Sequence, residues 1–247
     1  MPEIKGLIKQ AGEFIYFVDS DDFIEKDTIE ILYDIANREN LDVLYFDNNV
    51  VYEKDNLSKK FKKEAREYTE FGVEQKKVLE GQKMFSEMIL RGKFIVAPWS
   101  QMIRTSFLNT NKIRFENSII HEDNLFSFLV IMKATRTKYI SIKKYNRRIR
   151  EDSTITKRVG CRNCIGYLEC VKQIYNFLEN TQIKKQTAAR LFLLNLYKAS
   201  IKIYLRLSTE EKKIVRNKYE KIFNLRIIIK SVVKINFLQV FSSIVNK

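Results

Sequence analysis

The chain is poor in the residues that punctuate loops: 247 residues hold 7 Gly and 2 Pro. That scarcity argues against a turn-rich all-β protein. Cysteine is also scarce. Cys161, Cys164 and Cys170 are an odd number in one short stretch, which excludes a disulfide framework and points to a reducing, cytoplasmic compartment. A fourth ligand to make zinc of Cys161-x-x-Cys164 is missing nearby, since the single histidine, His121, lies 40 residues upstream of Cys161. No apolar run approaches the ~20 residues that span a bilayer, and Met1–Gln10 lacks the charged start and apolar stretch of a signal peptide.

What is present is apolar enough for a core, at 45% hydrophobic and 12% aromatic residues. The net charge of +15 is concentrated at one end, because residues 160–247 carry 17 Lys and Arg against 5 Asp and Glu. A basic tail calls for an anionic partner: membrane lipid, nucleic acid or an acidic protein. No nucleic-acid-binding motif accompanies it, so no nucleic acid is expected.

Phe14–Val18 is an apolar run bounded by Gly12 and a carboxylate cluster, the pattern of a strand buried on both faces in a parallel sheet. Ile29, Leu32, Tyr33 and Ala36 then follow helical spacing, with Asp27 as N-cap, and Val43–Phe46 reads as another buried strand. Strand, helix, strand makes a βαβ unit, so the front of the chain is α/β. Residues 53–80, with Lys59-Lys60-Phe61-Lys62-Lys63 at their centre, read as a charged surface excursion. Further expected elements are a helix over 82–90, a turn at Pro98-Trp99, a strand over 101–104 and a short helix after Thr105. An apolar helix over 122–133 and strands over 137–142 and 145–149 follow. Beyond Ser153 the pattern changes to three or four helices over 162–206 and 208–246. The expected division is therefore a catalytic α/β domain over 1–157 and a basic, all-α region over 158–247.

Three constellations are candidates for chemistry. Asp19-Ser20-Asp21-Asp22 places three carboxylates directly after a buried strand, where open α/β sheets bind ligands. Such oxygen donors suit Mg²⁺ or Mn²⁺, and they equally suit the start of the next helix. Glu122 and Asp123 open an apolar helix, as caps or as a general base. Arg148 and Arg150 alternate along a strand, placing both on one face that fits a phosphate or a charged sheet edge.

In order, these segments resemble family 2 of the nucleotide-sugar glycosyltransferases, which adopt the GT-A fold. The likeness runs from Gly6 to Ser153. It is carried by Gly12-Glu13-Phe14-Ile15-Tyr16-Phe17-Val18-Asp19-Ser20-Asp21-Asp22, then Pro98-Trp99, Arg114-Phe115, Glu122-Asp123-Asn124-Leu125-Phe126, and Tyr145–Ser153. The resemblance implies a metal-dependent, inverting transfer from a UDP- or GDP-sugar to a glycan or lipid-linked acceptor, in capsular, exopolysaccharide or lipopolysaccharide synthesis. Asp21 would be the direct ligand of Mn²⁺ or Mg²⁺, and Asp19 would lie nearer the ribose and the metal's water shell. Asp22 would orient the donor sugar or steady the loop. Asp123 would be the base, with Glu122 as second choice. Trp99 would wall the acceptor site, and Arg148 and Arg150 would close over the diphosphate. Gln101 departs from the lysine that members often carry two residues after the tryptophan.

Family members begin with further βα units that bind the nucleotide base. At ~30 residues per βαβ unit, the comparison implies that roughly 80 such residues are lacking before Met1. A truncated remnant, acting as a membrane-surface or protein-interaction module, is the alternative to an active enzyme. The apolar, Lys- and Arg-punctuated stretch from Leu225 to Leu238 fits a helix lying in a membrane interface. That would hold the protein at the inner face of the cytoplasmic membrane.

Overall fold

A computed structural model describes residues 12–52, 77–117, 119–149, 160–181 and 187–223. Arg150, the basic run at 59–63, the segment before Gly12 and the tail from Asn224 lie outside the described residues. The chain forms two compact units, one of Met1–Phe115 with Phe126–Lys157, the other of Glu116–Leu125 with Arg158–Lys247.

The first unit is built on a five-stranded mixed sheet in the order β1-β4-β3-β5-β2. Its strands are β1 (Phe14–Tyr16), β2 (Phe23–Ile24), β3 (Val43–Tyr52), β4 (Gln101–Arg104) and β5 (Thr137–Ile149). Among the described residues β3 pairs in parallel with β5, whereas β1 with β4, β4 with β3, and β2 with β5 pair antiparallel. Helix α1 (Thr28–Arg38) connects β2 to β3, α2 (Gly81–Leu90) precedes a 3₁₀ turn at Pro98–Ser100, and α3 (Thr105–Thr110) follows β4.

The expected strand over 14–18 forms differently. It is an outermost strand among the described residues, it ends at Tyr16, and its partner β4 is antiparallel. Phe17 leaves the ladder to meet Phe115 and Phe126 edge-on, at 5.5 and 5.8 Å between ring centroids. An aromatic cluster thus accounts for part of an apolar run that also suits a fully buried strand. β1 and β3 do point the same way, with β4 inserted between them, so the βαβ unit exists with its strands one place apart.

Asp27 does not cap α1 through its side chain. Both of its carboxylate oxygens instead accept from Lys144 Nζ at 2.8 Å, a charge-assisted bond that outcompetes a backbone amide. On the same helix Leu32 and Ala36 are buried, whereas Ile29 is 46% exposed. The two strands expected over 137–149 are one strand, whose register against β3 shifts between Phe46 and Asn48. Ile140 faces Phe46 and Tyr145 faces Asn48, so the Lys143-Lys144 pair that looks like a break lies in an irregularity of a continuous strand. Asp47 sits at this shift, buried, and accepts from Tyr139 Oη at 2.6 Å and Ser141 Oγ at 3.1 Å.

The core beneath the sheet gathers Leu32, Ala36, Leu41, Leu44, Phe46, Trp99, Met102 and Tyr145. Gly81 starts α2 where a Cβ would lie 1.9 Å from the Ile131 carbonyl oxygen. β1 is anchored by Arg104, whose guanidinium donates to Glu13 at 2.7 Å and to the Leu41 carbonyl at 3.0 Å.

The second unit is helical. It contains the start of α4 (Glu122–Lys133), then α5 (Cys161–Asn180), α6 (Thr187–Tyr204) and α7 (Thr209–Phe223). Cys164, Leu168, Leu207, Val215 and Tyr219 form its core cluster. Burial pushes the Cys164 thiol up to about 11 and the Cys170 thiol up to about 12. Both remain protonated and pack as small apolar groups.

Candidate active site

The loop between β1 and β2 carries Asp19, Asp21 and Asp22. Each offers a carboxylate oxygen to one shared space, with these atoms all within 4.8 Å of one another. The Asp22 amide donates to the Asp19 carbonyl at 3.0 Å, closing the turn that brings them together. Burial, then the charges of Asp22 and Asp21, raise the pKa of Asp19 above the ordinary carboxylate value, and Arg147 opposes them. Like charges held this closely are relieved by a bound cation. Hard carboxylate oxygens gathered this closely fit Mg²⁺ or Mn²⁺.

Tyr145 ties this loop to the sheet. Its hydroxyl donates to Asp22 Oδ2 and accepts from the Asp19 amide at 3.4 Å, while the Arg148 amide donates to Asp22 Oδ1 at 2.8 Å. Asp22 therefore commits its oxygens to β5. Burial, the bond to Asp22 and the two nearby carboxylates hold the Tyr145 phenol far above its usual value, so it remains a donor. Its ring lies flat on Trp99, at 4.9 Å and 6°. Trp99 is 8% exposed, and the guanidinium carbon of Arg147 is 5.8 Å from the centroid of its ring. Tyr16 completes the aromatic group, edge-on to Tyr145 at 6.4 Å and to Phe46 at 5.5 Å.

Sequence reasoning passed over Tyr145, Tyr16 and Arg147. Tyr145 is 123 residues from Asp22, a separation that no local pattern spans, and only its place at the head of the Arg-rich strand marked it. The structure brings Asp19, Asp21, Asp22 and the backbone of Arg148 together. The guanidinium carbon of Arg148 lies 5.6 Å from the centroid of the Phe23 ring.

Glu122 and Asp123 begin α4 in the second unit. Asp123 Oδ1 accepts from the Asn124 amide at 2.9 Å and from its side chain at 3.0 Å. Burial and the adjacent Glu122 charge push the Asp123 carboxyl up to about 6 against those hydrogen bonds. A carboxylate with that value is suited to take a proton near neutral pH.

No family model matches the sequence. Over 140 residues the chain is 27% identical to the cholesterol galactosyltransferase of Borreliella burgdorferi, covering 56% of this chain and 38% of that protein. Over 140 residues it is also 29% identical to the poly(ribitol-phosphate) beta-N-acetylglucosaminyltransferase TarS of Staphylococcus aureus, covering 56% of this chain and 21% of TarS. The chain thus spans well under half the length of these relatives. In three dimensions it resembles S. aureus TarS 1–349 in complex with UDP-GlcNAc, with a TM-score of 0.59 at 21% identity, over 86% of this chain and 57% of that one. The complex of the same protein with UDP gives a TM-score of 0.56 at 21% identity, over 83% and 54%. The mixed α/β fold is therefore that of TarS, a fold that carries a nucleotide sugar in that protein.

Proposed function

We propose that this chain is the metal-binding part of a glycosyltransferase that moves a sugar from a UDP-sugar to a glycan or lipid-linked acceptor, with inversion, in surface polysaccharide synthesis. The observation that carries the proposal is the convergence of Asp19, Asp21 and Asp22 at a strand end, in a fold shared with a UDP-GlcNAc-binding transferase. The relatives named above are transferases too, which favours this reading over a non-catalytic interaction module.

Asp21, with Asp19, would hold Mg²⁺ or Mn²⁺. When bound, such an ion supplies Lewis-acid neutralisation of the charge on the departing nucleotide diphosphate. Asp22 acts through Tyr145 to keep the loop in register, and Arg148 lies on the strand beside it. Asp123 accepts the proton of the acceptor hydroxyl as that oxygen bonds to the anomeric carbon and the bond to the diphosphate breaks. Glu122 keeps the basicity of Asp123 raised through its charge. Trp99 lends an aromatic wall toward the acceptor. The basic tail beyond Asn224 would seat the protein on the inner face of the cytoplasmic membrane, near lipid-linked acceptors.

The test is nucleotide release from UDP-sugars by the full chain, with Mn²⁺ or Mg²⁺ and with EDTA. Metal-dependent release that Asp21→Asn abolishes supports the proposal. Release unaffected by EDTA and by Asp21→Asn would remove the metal role, and no nucleotide release from any UDP-sugar tried, together with no metal-dependent binding of UDP, would remove the function.

A further inference from the structure

The second unit contains a pocket of about 280 Å³ lined by His121, Asn163, Tyr167, Ala199, Lys202, Ile203 and Arg206. It is small by the standard of cofactor sites and suits a compact group. Lys202 and Arg206 stand four residues apart, and neither has a carboxylate partner among the described residues. Two cations at that spacing repel each other unless an anion lies between them.

His121 adds a directed donor. Asn163 Oδ1 accepts the Gly160 amide at 3.1 Å, which leaves its Nδ2 to face His121 Nε2 at 3.2 Å. That assignment makes Nε2 the acceptor and puts the imidazole proton on Nδ1, where no described residue takes it. The ring is fixed from its other side by stacking on Tyr167 at 4.0 Å and 18°. Its backbone is fixed as well, at φ 72°, because the His121 carbonyl accepts from the Asn124 amide, the Asn124 side chain and Cys170 Sγ. A residue that is not glycine persists in this conformation only where its surroundings over-determine it. Ala199, Ile203 and the Tyr167 ring make the rest of the wall apolar, which fits the carbon side of an ester better than a free, fully hydrated ion.

We propose that this pocket binds a phosphate ester group through Lys202, Arg206 and His121 and, resting on the transferase reading above, that the acceptor carries the ester. His121 and Asp123 are two residues apart, so their Cα atoms lie within about 7.6 Å of each other. An acceptor gripped here would be held beside the candidate base. The donor's diphosphate has a separate partner in the aspartate cluster.

The chain's single histidine is its own reporter. Full-length protein with isotope-labelled histidine is titrated, at constant ionic strength and without donor or metal, with glycerol 3-phosphate, inorganic phosphate and acetate, and the ring resonances are followed by NMR. Saturable shifts with glycerol 3-phosphate, weakened at least tenfold in Lys202→Gln/Arg206→Gln and in each single variant by less, support the pocket. No saturation, an unchanged affinity in the double variant, or an equal response to acetate overturns it. Saturation by inorganic phosphate with none by the ester overturns the acceptor assignment. Because no turnover is measured, failure here is separate from failure of the Asp21→Asn experiment.

Discussion

Tyr145 and Trp99 lie ring on ring, 4.9 Å apart and 6° from parallel, and the Tyr145 hydroxyl reaches Asp22 beyond the stack. Replacing Tyr145 by Phe keeps the stack and removes the hydroxyl that Asp22 and the Asp19 amide share. We expect the fold to persist with a loss of about 1–3 kcal/mol and metal-dependent nucleotide release to fall by about one to two orders of magnitude through a loosened loop. Thermal melting and UDP release measured on the same preparation check both halves. Tyr145→Ala, which also empties a fully buried ring site, should cost about 3–5 kcal/mol.

Asp123 links activity to pH. As a base its carboxyl must be ionised, so kcat/KM should fall as pH drops through about 6 and stay level above. Stability runs the other way. A folded-state value raised above that of the unfolded chain means that the folded protein binds the proton more tightly. This contribution is favourable at low pH and is lost as pH rises from ~4 through the folded value. Asp123→Asn should therefore melt higher than the parent at pH 7.5, by up to about 3 kcal/mol, with no advantage near pH 4, while turnover collapses. A variant that is both inactive and less stable at pH 7.5 would contradict this account.

Two glycines are held by close approach. A Cβ at Gly166 would lie 1.9 Å from the Ile120 carbonyl oxygen, as one at Gly81 would from that of Ile131. Backbone cannot yield as a side chain can, so Gly166→Ala and Gly81→Ala should each destabilise by more than ~2 kcal/mol, despite alanine's better helix propensity. Chemical denaturation of each variant gives the answer, and equal or raised midpoints would refute it.

Asp42 gathers three donors on one oxygen: the Thr135 amide and hydroxyl, both at 2.8 Å, and the Arg136 amide at 3.0 Å. Asp42→Ala leaves these without an acceptor at the entry to β5. We expect a loss of about 1–3 kcal/mol and faster amide exchange at Thr135 and Arg136, with Asp42→Asn recovering part of it.

How far the sequence carries depends on the distance over which each feature is determined. The Asp19–Asp22 cluster is legible because its geometry is made within four residues by one turn. The helix over 82–90 is legible because burial on one face, at Met84, Phe85 and Met88, sets its period, and the one over 122–133 because its run is apolar almost throughout and is buried on nearly every side. The antiparallel place of β1 and the tie from Tyr145 to Asp22 are not, since each depends on residues about 90 and 120 positions away. Asp27 is a mixed case: it holds the N-cap position of α1, but its side chain does not cap. Its sequence context suits a cap, but Lys144, 117 residues on, offers a stronger bond.

The segment Glu116–Leu125 belongs to the helical unit although the chain reaches it long before the other helices. It brings Ile120, against which Gly166 packs, and the His121 carbonyl that receives Cys170. A fragment made by cutting once near residue 158 would lack these ten residues and expose the α5 face they cover. Any shorter chain intended to isolate the helices must therefore splice that decapeptide back in, or begin upstream of it.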